Sequence, residues 1–375
     1  MLADDVLDQI YHQVIARLQE SFITQPDVLA NIVLVSRSIA NRACVRVILA
    51  CSLAKLLNDE FDIRKPYTEI GDKDAFSGRS YDERYISAFV NKYQLPCNPT
   101  TAFLTPAFRN RNTVLTPEMN LSGRPKEVYS ALLQLLTDVS EKRITAGELL
   151  SETVRQLILF RDENQQRLAS LVANLKSVRS SVSLSAEQII TIIEQHLATK
   201  GASRLPVLVV AAAYTAVSSY IQEKVLPLEA HNAADSQTQA VGDVQITLNA
   251  GDNVVTCYEM KMKQVTLGDI DLAIQEKLAR SQHLIENYIF ITTDIITPEV
   301  DEYAKSKYDE IGIEIVVLDC ISFLRHFLHL FYRNRMTFLE AYQEFVLVEP
   351  ESAVSQPLKE VFLTLRLAAE SNQAQ

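Results

Sequence analysis

A carboxylate and two lysines alternate in "VVTCYEMKMK" (254–263), a segment with the composition of a β-strand. Side chains in a strand alternate between its two faces, so Glu259, Lys261 and Lys263 are expected on one face. A second strand-like segment, "DVQITL" (243–248), begins with Asp243 and is followed by the turn sequence "NAGDN". A hairpin of these two strands would bring Asp243 and Glu259 together at one end of a sheet.

Two neighbouring carboxylates suit Mg²⁺, which prefers oxygen ligands and often takes only one or two of them from protein carboxylates. We expect Asp243 and Glu259 to bind this ion, helped by the backbone carbonyl of Met260. The ion would polarise a phosphodiester and acidify water, and Lys261 would orient that water or stabilise developing charge. Glu259-Met260-Lys261 is the only Asp/Glu-x-Lys sequence in the chain. A solvated strand end beside an exposed aspartate is the alternative, and the pattern alone leaves both open.

Three further residues are candidates for supporting roles. Lys263 shares the predicted face of Lys261, so either lysine is a candidate for the catalytic one, and the usual spacing favours Lys261. Glu229 and His231 lie in the polar segment that precedes Asp243. They are candidates for contacts with the metal shell or a phosphate, or are ordinary surface residues.

The elements around this hairpin predict a mixed α/β core. A helix over about 204–224 precedes the hairpin. Helices over about 267–285, 298–310 and 320–332 alternate after it with buried strands at 288–293 and 313–318. This order predicts a mixed sheet with helices on both faces. We expect a mainly helical N-terminal region (1–200), the α/β core (201–345) and a C-terminal helix or tail (346–375).

Composition predicts a folded protein with reduced cysteines. The chain has 375 residues, of which 47% are hydrophobic, and its five cysteines are scattered without a CxxC pair. Reduced thiols and the acidic, amphipathic N-terminal segment predict a cytoplasmic protein without a membrane segment. The net charge of −11 argues against a general nucleic-acid binder. A local basic surface stays possible, because residues 100–126 carry four basic side chains and one acidic one.

Residues 62–126 hold half of the prolines and are predicted to be mostly loop. Within them, "FRNRN" places together Arg109, Asn110, Arg111 and Asn112, side chains that read guanine and adenine edges in DNA. "SGRSYDERY" adds Ser77, Arg79 and Arg84, for which phosphate contacts are as reasonable as base contacts. Solvated loop residues are the alternative for both groups, and Arg84 could instead pair with Asp82 or Glu83. The arginines of the preceding helix, Arg37, Arg42 and Arg46, are expected to be solvated.

Two segments resemble the SacI-type family of type II restriction endonucleases. They are "HNAADSQTQAVGDVQI" (231–246) with the Glu259 strand that follows, and residues 65–112, best in "DAFSGRSYDERY". The resemblance covers about a quarter of the chain well and is diffuse elsewhere. It implies a PD-(D/E)xK core that cleaves double-stranded DNA at a short specific sequence with Mg²⁺. The family's Pro-Asp pair is Gly242-Asp243 here, and the proline has no catalytic role.

The resemblance also implies partners and products. Cleavage would leave a 5′-phosphate and a 3′-hydroxyl, and a cognate DNA methyltransferase is expected in the same system. Palindromic targets are read most simply by a two-fold symmetric protein, so a homodimer is expected. A repair or junction nuclease with the same core is an alternative, since it would cut by DNA structure. An inactive DNA-binding relative or scaffold is the non-enzyme alternative.

Overall fold

The structure, a computed structural model, describes residues 3–98, 100–109, 112–119, 121–178, 183–229, 241–251 and 253–373. The chain divides into two compact units at 167/168. The sequence predicted a boundary at 200 instead. The division falls within a long helix, α7 (Ala146–Val178), where periodicity gives no sign of a boundary.

Unit 1 is built from helices around one hydrophobic core. Its first helices are α1 (Ala3–Ala16), α2 (Pro26–Ser36) and α3 (Ala43–Leu57). α3 is buried from Cys44 to Ala54 because most of its residues are apolar. The later helices are α6 (Lys126–Ser140) and α7, and α6 packs against α2.

The segment predicted to be loop contains a helical stretch, so that prediction was wrong for its middle part. α4 (Gly78–Tyr81) continues through a π-helical turn (Asp82–Ile86) into α5 (Ser87–Lys92). Its N-terminus is capped by Ser77, whose hydroxyl accepts from the amide of Ser80 at 3.2 Å. Buried apolar residues at helical spacing hold the stretch against the core. The many prolines on either side obscured this spacing.

Arg46 corrects the expectation of solvated arginines in the first helices. Its side chain is fully buried in α3, and its Nε donates to Asp82 Oδ1 at 2.8 Å. The other carboxylate oxygen of Asp82 accepts from the Thr101 hydroxyl at 2.7 Å and the Ala102 amide at 2.9 Å. Because both charges are paired and hydrogen-bonded, the buried pair ties the π-helical turn to the core.

Unit 2 contains a five-stranded mixed sheet with strand order β1-β2-β3-β4-β5. The strands are β1 (Glu223–Val225), β2 (Val244–Leu248), β3 (Val254–Lys261), β4 (Asn287–Thr292) and β5 (Glu314–Asp319). β1, β2 and β3 pair antiparallel, whereas β3, β4 and β5 pair parallel. The strands β2 to β5 were therefore predicted correctly. β1 was missed because it was assigned to the preceding helix.

Helices cover both faces of the sheet, as predicted. One face packs against α9 (Leu205–Val217), α12 (Cys320–Leu330) and α13 (Arg335–Val348). The other packs against α10 (Leu267–Leu272), which continues into a π-helical turn (Ala273–Leu278), and against α11 (Pro298–Ile311). Two further helices, α8 (Ala186–Leu197) and α14 (Gln356–Gln373), join the first face's core. The C-terminal segment therefore belongs to unit 2. No helix of the described ranges has the length and apolar character needed to cross a bilayer.

Candidate active site

Asp243 and Glu259 lie opposite each other where β2 begins. The antiparallel register pairs Val244 with Tyr258, so the residue before Val244 faces the residue after Tyr258. The carboxylate of Asp243 accepts a hydrogen bond from the amide of Met260, with 2.7 Å between Oδ2 and N. The structure thus brings together the two carboxylates that the hairpin pattern predicted to be neighbours.

Gly242 is needed for this close approach. A Cβ atom at this position would lie 2.7 Å from the carbonyl oxygen of Tyr258 and 3.3 Å from the Cβ of Cys257. Backbone atoms cannot move aside as a flexible side chain does. The glycine before Asp243 is therefore a spatial requirement of this chain, and a proline ring would not fit there.

Glu259 is held by three neighbours on the side of the sheet that faces α10. Its Oε2 receives the ammonium of Lys277 at 2.7 Å and the hydroxyl of Tyr288 at 3.3 Å. Its Oε1 lies 3.3 Å from Nζ of Lys261. The side chain of Glu259 is only 13% exposed, so these contacts are weakly screened by solvent.

Tyr288 supplies a protonated hydroxyl beneath this carboxylate. Burial, followed by the negative charge of Glu259, raises the pKa of Tyr288 well above its ordinary value. The same hydroxyl lies 3.2 Å from the carbonyl oxygen of Val241, just before Asp243. Tyr288 therefore links the two strand ends that carry the carboxylates.

Lys261 is shared between Glu259 and a third carboxylate, Asp269, whose Oδ1 lies 3.5 Å from the lysine Nζ. Asp269 belongs to the capping box of α10, in which it and Thr266 exchange hydrogen bonds. Burial opposes ionisation of Asp269, but the hydrogen bonds from Thr266 and the charges of Lys261 and Lys263 outweigh it, so the pKa of Asp269 is lowered. Asp269 is thus an ionised partner that holds Lys261 near Glu259.

Asp243 is exposed to solvent, yet enough protein atoms surround its carboxylate to desolvate it partly. This partial desolvation, and then the negative charge of Glu259, raises the pKa of Asp243. The positive charges of Lys277 and Arg204 oppose the rise without cancelling it. A raised pKa at a pair of carboxylates marks a place where an added positive charge is favourable.

The structure shows no direct contact between the described supporting residues, Lys263 and Glu229, and the carboxylates of Asp243 and Glu259. Lys263 lies beyond the end of β3 and is exposed, and its carbonyl accepts from the Thr292 hydroxyl at 2.9 Å. Its charge acts on Asp269. Glu229 is exposed, and its backbone carbonyl accepts from Arg204 at 2.9 Å. His231 lies outside the described residues.

The residues predicted to contact DNA lie in unit 1 and differ in availability. Arg79 forms a salt bridge with Glu83, with 2.7 Å between Nε and Oε1. Arg84 is exposed and makes no hydrogen bond or ion pair with any described residue, since Asp82 is taken by Arg46. Arg109 and Asn112 are also exposed. Ser77 is the helix cap described above, and Asn110 and Arg111 lie outside the described residues.

Three residues of the site were not found from sequence: Asp269, Lys277 and Tyr288. A signal existed for Asp269, because Thr266-x-x-Asp269 has the spacing of a capping box immediately after the strand. The sequence gave no such signal for Lys277 or Tyr288, because their contacts with Glu259 come from packing between separate elements.

Within the described ranges, no group of three or more histidine, cysteine, aspartate or glutamate side chains is arranged to hold a metal ion. Among the described side chains, Asp243 and Glu259 are the two neighbouring carboxylates at the start of β2. Two carboxylates are enough for Mg²⁺, which completes its coordination with water and phosphate.

Comparison with known proteins gives no assignment. No protein-family model matches the chain, and no curated protein matches it.

Proposed function

We propose that this protein is a Mg²⁺-dependent endonuclease of the type II restriction class with a PD-(D/E)xK core. The observation that carries the proposal is the Asp243–Glu259 pair on neighbouring strands, with Lys261 two residues further along the strand of Glu259. The mixed sheet with helices on both faces is compatible with such a core. The SacI-type resemblance supplies double-stranded DNA as the substrate.

The donor set fits a divalent cation of the Mg²⁺ type. Asp243 uses Oδ2 for the Met260 amide, and its Oδ1 accepts no hydrogen bond from a described group. Glu259 Oε1 lies 3.3 Å from the ammonium of Lys261, its one ionic contact among the described groups. The amide and carbonyl of one strand residue point to the same neighbouring strand, so the Met260 carbonyl is the third proposed ligand. When bound, the cation supplies Lewis-acid polarisation of a phosphodiester and a lowered pKa for water.

The side chains of the chain then have distinct tasks. Asp243 and Glu259 fix the position of positive charge at the end of the sheet. Lys261, held between Glu259 and Asp269, donates hydrogen bonds to the attacking water and the phosphate oxygens. The attacking water gives up a proton to solvent as its oxygen bonds to phosphorus in line with the departing 3′-oxygen. The phosphorus–oxygen bond to that group breaks and the 3′-oxygen takes up a proton, leaving a 5′-phosphate and a 3′-hydroxyl.

Sequence recognition is assigned to unit 1, through the exposed residues Arg84, Arg109 and Asn112. A palindromic target implies two copies of the chain, so a homodimer is part of the proposal. A methyltransferase that protects the same sequence is the expected companion enzyme.

The proposal is tested by digesting a sequenced plasmid in Mg²⁺ and in EDTA. The full-length protein should yield discrete fragments only in Mg²⁺. Asp243→Asn, Glu259→Gln and Lys261→Met should each slow cleavage by about a hundredfold or more. Asp301→Asn and Lys305→Met are matched controls, because this exposed pair lies on α11 of the same unit, and they should cut normally.

Other outcomes have definite meanings. Wild-type rates from Asp243→Asn or Glu259→Gln would refute the proposed mechanism. Loss of cleavage in Lys263→Met with activity retained in Lys261→Met would reassign the catalytic lysine. Cleavage restricted to branched DNA would indicate a structure-specific nuclease.

A further inference from the structure

Lys277 makes the shortest ionic contact in the site, at 2.7 Å from Glu259 Oε2, yet it lies on neither strand of the hairpin. It comes from the π-helical turn that follows α10. The i→i+5 geometry of this turn is seen in the hydrogen bond from the Ala279 amide to the Ile274 carbonyl, at 2.9 Å. π-Helical turns are rare and are frequently found at functional sites.

The contact divides the two oxygens of Glu259 between different tasks. Lys277 and the Tyr288 hydroxyl both lie on Oε2, whereas Oε1 is near Lys261. The Lys277 side chain is 18% exposed and that of Glu259 13%, so the attraction is only partly screened. Oε2 is therefore held by the protein, and Oε1 is the oxygen left for a cation.

Among the described residues, the charges around Glu259 balance without a metal ion. The carboxylates are Asp243, Glu259 and Asp269, and the ammonium groups are those of Lys261, Lys263 and Lys277. Arg204 also acts on Asp243, but its charge is paired with Glu349. A divalent cation added to this set gives a positive excess, which suits an anionic phosphodiester. Removal of Lys277 would leave a negative excess that attracts cations more strongly.

We propose that Lys277 is a positioning residue and the resident counter-ion of Glu259, which weakens cation binding while it holds the carboxylate in the orientation that turnover requires. This inference rests on the proposed function for the reaction, but its first readout is cation binding without DNA. A residue with a merely structural role would weaken both properties when replaced. The counter-ion role predicts instead that replacing Lys277 strengthens cation binding and slows cleavage.

The test uses the full-length protein and measures Mn²⁺ binding from the electron paramagnetic resonance signal of free Mn²⁺. Lys277→Met should bind Mn²⁺ about fivefold or more tightly than wild type, because it removes from beside Glu259 a positive charge that repels the cation. The same variant should cleave DNA about tenfold or more slowly in saturating Mg²⁺. Lys277→Arg keeps the charge and should restore both values towards wild type.

Two controls separate charge from hydrogen bonding. Tyr288→Phe removes a neutral donor from the same oxygen, so it should leave Mn²⁺ affinity unchanged or weaker. Lys305→Met removes an exposed ammonium of unit 2 and should change neither readout. If Lys277→Met does not fold, as judged by circular dichroism, Lys277→Gln provides the same comparison.

Equal or weaker Mn²⁺ binding by the folded Lys277 variant would overturn the inference, as would binding by neither protein. Tighter Mn²⁺ binding with cleavage as fast as wild type would overturn the positioning role. Tighter binding by the variant, with no DNA cleavage by wild type in Mg²⁺, would support the counter-ion role and refute the proposed nuclease function.

Discussion

Gly242 lies where any side chain would strike the backbone of the neighbouring strand. The chain therefore reaches Asp243 through a residue with no Cβ, and the carboxylate arrives within hydrogen-bond distance of the Met260 amide. In the restriction endonuclease family that the sequence resembles, a proline stands at this position. The structure gives a physical reason for glycine in this chain, and the resemblance alone gave none.

Gly242→Ala should disturb the site through its backbone. The added Cβ would lie 2.7 Å from the Tyr258 carbonyl oxygen, so the start of β2 must shift. We expect a loss of about 1–3 kcal/mol in the free energy of unfolding. Mn²⁺ affinity and cleavage should fall together, because Asp243 is the next residue.

Gly251→Ala is the matched control for this prediction. Gly251 lies in the turn after β2, and a Cβ there would meet no atom within 4 Å. Urea unfolding and Mn²⁺ titration of both variants measure the difference. Wild-type Mn²⁺ affinity in Gly242→Ala would show that the close approach is not needed for the site.

At the scale of elements, each unit uses a π-helical turn to carry a charged residue to a partner elsewhere. In unit 2 the turn carries Lys277 to Glu259, and in unit 1 the turn carries Asp82 to Arg46. A π-helical turn widens the helix locally and changes the direction of the side chains after it. Helical periodicity read at 3.6 residues per turn therefore misplaces these residues.

His196 is an ionisable residue of α8 whose surroundings come from the packing of α13 and α14 against that helix. The imidazole is fully buried and bonded at 3.0 Å to the Tyr342 hydroxyl and at 3.0 Å to the Leu358 carbonyl. Burial lowers the pKa of His196 to about 4. These contacts are those of a side chain packed in the core.

The lowered pKa makes the stability of unit 2 depend on pH. Above about pH 6.5 the imidazole is neutral in both the folded and the unfolded chain, so its contribution is complete. As the pH falls towards 4, the unfolded chain binds a proton that the folded chain does not, and stability is lost. We expect this group to remove about 2 kcal/mol of unfolding free energy between pH 7.5 and 5.

The measurement is urea unfolding at these two pH values. His196→Gln should start from a lower stability and lose about 2 kcal/mol less than wild type over the interval. His326→Gln, which changes an exposed imidazole of α12, is the control and should keep the wild-type dependence. An unchanged dependence in His196→Gln would mean that the buried imidazole is not responsible.

At the scale of the whole molecule, the net charge of −11 opposes DNA binding, so the DNA affinity of the proposed function must come from local basic groups. Arg84 and Arg109 are exposed, whereas the guanidinium of Arg79 is paired with Glu83. We expect Arg84→Met and Arg109→Met each to weaken binding to a cognate duplex. Arg79→Met should have a smaller effect because its charge is already partly neutralised.

Fluorescence anisotropy in EDTA at several salt concentrations measures these affinities without cleavage. A residue that contacts phosphate should, when removed, reduce the slope of log affinity against log salt by about one. A residue that reads a base should instead relax discrimination between sequences. Wild-type affinity and slope in both Arg84→Met and Arg109→Met would remove these residues from the recognition surface.

Local patterns were sufficient for much of the fold. Strand-like segments predicted β2 and β3, buried apolar runs predicted β4 and β5, and helical spacing predicted the helices between them. The same reasoning failed for β1, which is short and follows a helix, and for the helical stretch around Asp82. Arg46 was misassigned because its spacing fits a solvated face, while its partner Asp82 lies 36 residues away.

The sequence by itself determined the carboxylate pair, because strand alternation and a short hairpin connection fix which side chains are neighbours. It left Lys261 and Lys263 as alternatives on the same strand face. Only the tertiary structure decided what surrounds them. Lys277 and Tyr288 reach Glu259 from a helix and a parallel strand, and such contacts depend on how layers pack. Periodicity reports which face of an element is apolar. It does not report which charged residue of one layer meets which residue of the next.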